Sequence, residues 1–136
     1  MNSKRMINSD VMFSNAVAEL SDKAYRLYLN IMLFADDDGF VSSLMNAKLI
    51  SGAGDSELAE LVDSSLISKF DDDNVLVMDW LRHNNLSNKT YRNKAPAEYR
   101  NRIKVEVSGK YTLDDSSEAL SIDDYRFTKT GSRAKK

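Results

Sequence analysis

Three consecutive aspartates, Asp36, Asp37 and Asp38, followed by Gly39, are the side chains in this sequence most able to do chemistry. Clustered carboxylates can hold a divalent cation, or share a proton and work as an acid–base pair. A calcium loop alternates its acids so that they converge, and closes with a glutamate. Here the acids are contiguous, and no glutamate follows at the right distance. Acid–base work needs a pocket that moves carboxyl pKa values, and no neighbouring residues suggest one. The stretch therefore reads as a solvated turn. Aspartate disfavours helix interiors, Gly39 tolerates a positive φ, and Phe40-Val41 favours a strand.

The remaining candidates are few. The chain has one histidine, His83, and no cysteine, which removes disulfides and thiolate zinc sites. A Ser-His-Asp set would have to use His83, which lies in a basic segment and reads as a surface or capping residue. No G-x-x-x-x-G-K-[ST] loop is present. The expectation is a non-enzymatic protein with no cofactor and no metal. Hydrophobic residues make up 42% and charged residues 29%, so a packed core is expected rather than disorder. No apolar run reaches the roughly 20 residues that span a bilayer, and the start of the chain lacks a signal-peptide core. A soluble protein of the cytoplasm is expected.

The charge is unevenly distributed. Residues 1–80 carry 14 Asp+Glu against 6 Lys+Arg, whereas residues 81–113 carry 8 Lys+Arg against 2 Glu. The basic stretch "RHNNLSNKTYRNKAPAEYRNRIK" interleaves Arg82, Lys89, Arg92, Lys94, Arg100, Arg102 and Lys104 with Tyr91, Tyr99 and several asparagines. Cations neutralise phosphates, and Asn and Tyr can hydrogen-bond to phosphates or base edges. With Lys4 and Arg5 of the N-terminal segment, Arg82, Lys89, Tyr91, Arg92, Lys94, Arg100, Arg102 and Lys104 form the candidate DNA-binding set. The competing reading is a basic strap that packs on the acidic body and neutralises it.

These residues need elements to hold them. "DVMFSNAV" suggests short helical turns. Ser21 is an N-cap, and Ala24, Leu27, Tyr28, Ile31 and Ala35 repeat at helical spacing. "SSLMNAKLIS", stopping at Gly52, and "DSELAELVDSSLI" read as two further helices around a glycine turn, the outline of a helix-turn-helix. "LISKF", "DDDN" and "VLVMDW" read as a hairpin between about Ile67 and Trp80, with residues 71–73 at its tip. Trp80, Leu27, Ile31, Leu58, Leu61 and Val62 are the expected core. The order gives a mainly α fold with a small β-hairpin, a winged helix-turn-helix with a basic C-terminal extension. Residues 1–20 form an N-terminal segment, 21–80 the winged-helix core, 81–113 the basic extension and 114–136 a flexible tail.

The run "ADDDGFV", then "GAG…L…L", an apolar hairpin and "W…R.NN…K.Y", resembles the N-terminal domain of phage replisome organiser proteins. These are winged-helix replication initiation proteins related to the DnaD-like primosome proteins. The resemblance extends from about Arg5 to Tyr99. It implies binding of double-stranded DNA at a phage origin in a bacterial host cell. In that family, C-terminal parts recruit a helicase or a helicase loader, and the sequence after Tyr99 is short for such a domain. A homo-oligomer is compatible with this reading, and no membrane is expected.

One feature runs against ordinary docking. The second helix of a helix-turn-helix enters the major groove, yet here its outward positions are Asp55, Ser56, Glu57, Glu60, Asp63 and Ser64. The wing tip is acidic as well. The alternative is a protein–protein interaction module, an adaptor or inhibitor, that uses Asp55, Glu57, Glu60 and Asp63 to bind a basic partner.

Overall fold

The computed structural model describes residues 5–84, 95–114 and 118–125. Two short helices, α1 (Ser9–Met12) and α2 (Asn15–Ala18), lead into α3 (Asp22–Phe34). The Ser21 hydroxyl accepts from the Ala24 N–H, and Ala24, Leu27, Tyr28 and Ile31 are buried, as their spacing predicts. Strand β1 (Phe40–Val41) follows, then α4 (Leu44–Ser51) and α5 (Asp55–Asp63). Gly52 ends α4 in the left-handed conformation, at φ 70°. The hairpin is β2 (Ile67–Lys69) and β3 (Val75–Val77), and β1 adds to its other side to give an antiparallel sheet of order β1-β3-β2. Phe40 lies opposite Leu76, and Ile67 opposite Val77.

The hairpin is shorter than its apolar run predicts. β3 ends at Val77, and Trp80 opens a helical turn, α6 (Trp80–His83). Trp80 is buried, as expected, but as part of this turn and not through strand alternation. All three residues of β3 are buried because the strand is central in its sheet and covered on both faces. Val62 is only partly buried, and in α4 only Leu44, Ala47 and Ser51 are enclosed.

The architecture is mixed α/β rather than mainly helical. After α7 (Ala97–Arg100), strands β4 (Lys104–Val105), β5 (Tyr111–Thr112) and β6 (Leu120–Ser121) form a second antiparallel sheet, ordered β5-β4-β6. Part of the expected flexible tail is thus structured: Leu120 pairs with Val105, and Ile122 is 1% exposed. The sequence signal was weak because each strand is two residues long, too short for alternation to show. The second sheet is tied to the first part of the chain by Ile103 in the core and by the Tyr111 N–H, which donates to the Met78 carbonyl at 2.9 Å.

Gly39 is where the turn after α3 packs most closely on Trp80. Its φ is +86°, and a Cβ placed there would lie 2.6 Å from Trp80 Cγ. Gly39→Ala therefore carries a left-handed backbone penalty of roughly 1–2 kcal/mol and an overpacking cost of about 1–3 kcal/mol. A loss of several kcal/mol is expected by urea denaturation. A change within measurement error would mean that Trp80 does not pack against this turn.

Candidate nucleic-acid interface

Residues 36–38 are not a solvated turn. Asp36 and Asp38 are buried, at 4% and 0% exposure, and Asp37 is half-buried. Asp36 Oδ1 accepts from the N–H groups of Asp38 and Phe40, at 2.8 and 3.0 Å, and so holds the turn closed. The Asp37 carbonyl accepts from Trp80 Nε1 at 3.0 Å, and the Asp38 carbonyl from Tyr111 Oη at 2.7 Å. The Asp38 carboxylate pairs with Arg100, whose Nη2 also meets Asp123 Oδ1 at 2.6 Å. The turn reading survives, but the acids face inward because cations and donors from distant parts of the chain close over them. Among the described residues, no group of His, Cys, Asp and Glu side chains could hold a metal ion.

This redistributes the candidate cations. Arg100 is 11% exposed in its side chain and lies between two carboxylates, so it serves the fold and not a phosphate. Arg5 is also internal. Its Nη2 donates to the Ala35 carbonyl at 2.7 Å, Nη1 lies 3.7 Å from Asp37, and the guanidinium sits over the Trp80 ring. Lys104 is half-buried in the central strand of the second sheet. Arg82 and Arg102 remain on the surface. Arg82 lies 3.6 Å from the buried Asp79, and Arg102 stacks over Phe70 with its charge toward solvent. Lys4, Lys89, Tyr91, Arg92 and Lys94 lie outside the described residues.

The acids of α5 divide in the same way. Glu57 accepts from the Gly54 N–H at 2.7 Å, closing the start of its own helix. Glu60 accepts from the Ser21 N–H and hydroxyl at 2.9 and 2.7 Å, and so anchors the start of α3. Both carboxylates satisfy donors at the positive ends of helices, which is why this helix tolerates so many acids. They belong to the scaffold and not to a binding set. Asp55 bonds Lys48 at 2.5 Å and is otherwise exposed. Asp63 lies on the surface toward the hairpin tip.

The hairpin tip is clamped by the basic segment. The Tyr99 ring stacks on Phe70 with centroids 4.6 Å apart, and its hydroxyl donates to Asp71. Asp71 Oδ1 also accepts from the N–H groups of Asp73 and Asn74. These donors, with Tyr99 first among them, pull the Asp71 carboxyl down to about 2. Asp71 therefore stays ionised, and the tip keeps the negative charge of its three aspartates.

His83 is buried and not a surface residue. The Asn8 N–H donates to Nδ1 at 2.8 Å, so the neutral ring carries its proton on Nε2, which faces Tyr28 Oη at 3.0 Å. Asn84 pins the same N-terminal segment by accepting from the Met6 N–H at 2.9 Å. These partners, more than 70 residues apart in the chain, left no local signal in the sequence. Comparison of this chain with family models, with curated proteins and with solved structures gives no match.

Two expectations follow. Arg100→Ala removes a guanidinium paired with the buried Asp38, and the expected loss is up to about 3–5 kcal/mol. Adding Asp38→Asn should recover part of it, measured by urea denaturation of the single and double variants. If both singles are as stable as the parent, Arg100 is free to serve another role. For His83, burial is the main cause that pushes the pKa below its ordinary 6.5, and Arg82 adds to it while Asp79 opposes it. The unfolded chain then binds the extra proton first. The stabilisation by neutral His83 is complete above pH 6.5 and is lost as pH falls through the depressed value. Stability at pH 5.5 should be lower than at pH 7.5, and the difference should shrink in His83→Gln. An unchanged difference would assign the pH dependence to other groups.

Proposed function

We propose that this chain is a non-enzymatic winged-helix domain of the replisome-organiser type, which binds duplex DNA at a replication origin through the basic side chains that follow α6. The observation that carries the reading is the contact between two segments of the resemblance. The "DDDG" turn and Trp80, far apart in sequence, are joined by the Trp80–Asp37 hydrogen bond and by the fit of Gly39 against the indole. The order α3–β1–α4–α5–β2–β3, with β1 completing the hairpin's sheet, is the winged-helix order and supports the same reading. The two sequence segments that carry the resemblance are in this way packed on each other.

The proposed interface is smaller than charge counting suggests. Arg5, Arg100 and Lys104 are withdrawn into the fold; of the seven candidates that remain, the proposal places phosphate contacts on Arg82, Lys89, Arg92, Lys94 and Arg102, and not on Lys4 or Tyr91. The cytoplasm of a bacterial host is the compartment that goes with this function, and no helix among the described residues is long and apolar enough to cross a membrane. The acidic α5 does not act as a groove-reading helix in this proposal. DNA is engaged from the side of the basic segment, and affinity is dominated by phosphate contacts.

Five phosphate contacts imply a log–log salt slope of roughly −4 to −5 for duplex binding. Arg92→Ala with Lys94→Ala should weaken all duplexes about equally and flatten that slope by about 2 units, read by fluorescence anisotropy across a salt series. These two positions are the right ones to change, because Arg100 variants would confound binding with folding. An unchanged affinity and slope would remove the electrostatic basis of the DNA reading.

A further inference from the structure

We infer that the groove between α4, α5 and the hairpin tip is a docking site for a basic amphipathic helix of a partner protein. The groove has a volume of about 590 Å³. Its floor is apolar, formed by Leu58, Ala59 and Val62, and Met45 stands at its edge. Met45 is 62% exposed, and Leu49, one turn further along α4, is 73% exposed. Residues four apart share a helix face, so the apolar floor continues outward as a stripe. Two large apolar side chains adjoining an apolar trough make a patch of the kind that marks a protein contact.

The rim selects the partner's charge. Asp55, Asp63, Asp72 and Asp73 face the groove, against only Lys48 and Lys69. Both lysines already have carboxylate partners, Asp55 at 2.5 Å and Asp72 at 3.8 Å. Asp63 and Asp73 are the surplus. Asp63 is the last residue of α5, where the helix dipole disfavours a carboxylate and no basic side chain compensates it. Helix stability therefore does not account for it, whereas a cation arriving from outside would. The same charge excludes a nucleic acid from this face. An occupant with apolar residues at i, i+3, i+4 and Lys or Arg on both flanks satisfies floor and rim together. The inference rests on groove residues and not on those proposed to contact DNA, so each can fail without the other.

The test uses a fluorescein-labelled amphipathic peptide of leucine and lysine in helical pattern, and the same pattern with glutamate replacing lysine. Saturable binding of the lysine peptide, and none of the glutamate peptide, is expected. Met45→Ser with Leu49→Ser should weaken binding about tenfold, as loss of anchor side chains does. Asp63→Asn with Asp73→Asn should weaken it comparably and reduce its salt dependence. Phe13→Ser, which removes an equally exposed apolar residue away from the groove, should leave it unchanged. All these side chains are exposed, so the variants should keep the parent's thermal midpoint. Absence of binding, or equal binding to all variants, overturns the inference. So does loss of duplex DNA affinity in the Met45→Ser, Leu49→Ser variant, which would make the groove a nucleic-acid surface.

Discussion

The turn at residues 36–39 is the constraint on which the rest of the structure depends. Almost every backbone and side-chain group in it is spoken for by a different part of the chain. Arg5 reaches it from the N-terminal segment, Trp80 from α6, Arg100 from α7, and Tyr111 from the second sheet. The Val77 N–H donates to the Gly39 carbonyl at 2.9 Å, which joins the turn to the hairpin strand as well. A buried carboxylate costs free energy unless it is compensated, so the Asp38–Arg100 pair favours the docking of α7. A buried ion pair of this kind adds little net stability over an apolar contact. What it supplies here is position, since Arg100 meets Asp38 and Asp123 at once.

That constraint also decides how charge is used. An acidic body beside a basic extension looks, by composition, like a nucleic-acid surface. In the folded molecule much of the opposition is consumed internally. Arg5 and Arg100 answer the aspartates of the turn, and Tyr99 answers Asp71 at the hairpin tip. Glu57 and Glu60 answer backbone donors at helix starts. What is left over includes the surplus carboxylates Asp63 and Asp73 around the groove on the α4–α5 side and the outward Arg82 and Arg102.

The sequence alone determined the local elements. Ser21 and the spacing from Ala24 to Ala35 gave α3, Gly52 gave the end of α4, and "LISKF…VLV" gave the hairpin, because caps, glycine conformations and apolar periods act within a few residues. The burial of Trp80 and the glycine requirement at position 39 were also readable, although the reason for the latter was not. Only the tertiary structure decided which charges are free. Whether Arg100 faces solvent or Asp38, whether Asp36 is hydrated or closes its own turn, and whether His83 lies outside or beneath Asn8 depend on contacts between residues distant in sequence. A charged side chain has the same local signature in either case. Its fate is fixed by desolvation and by the partner that compensates it, and that partner is chosen only when the chain closes on itself.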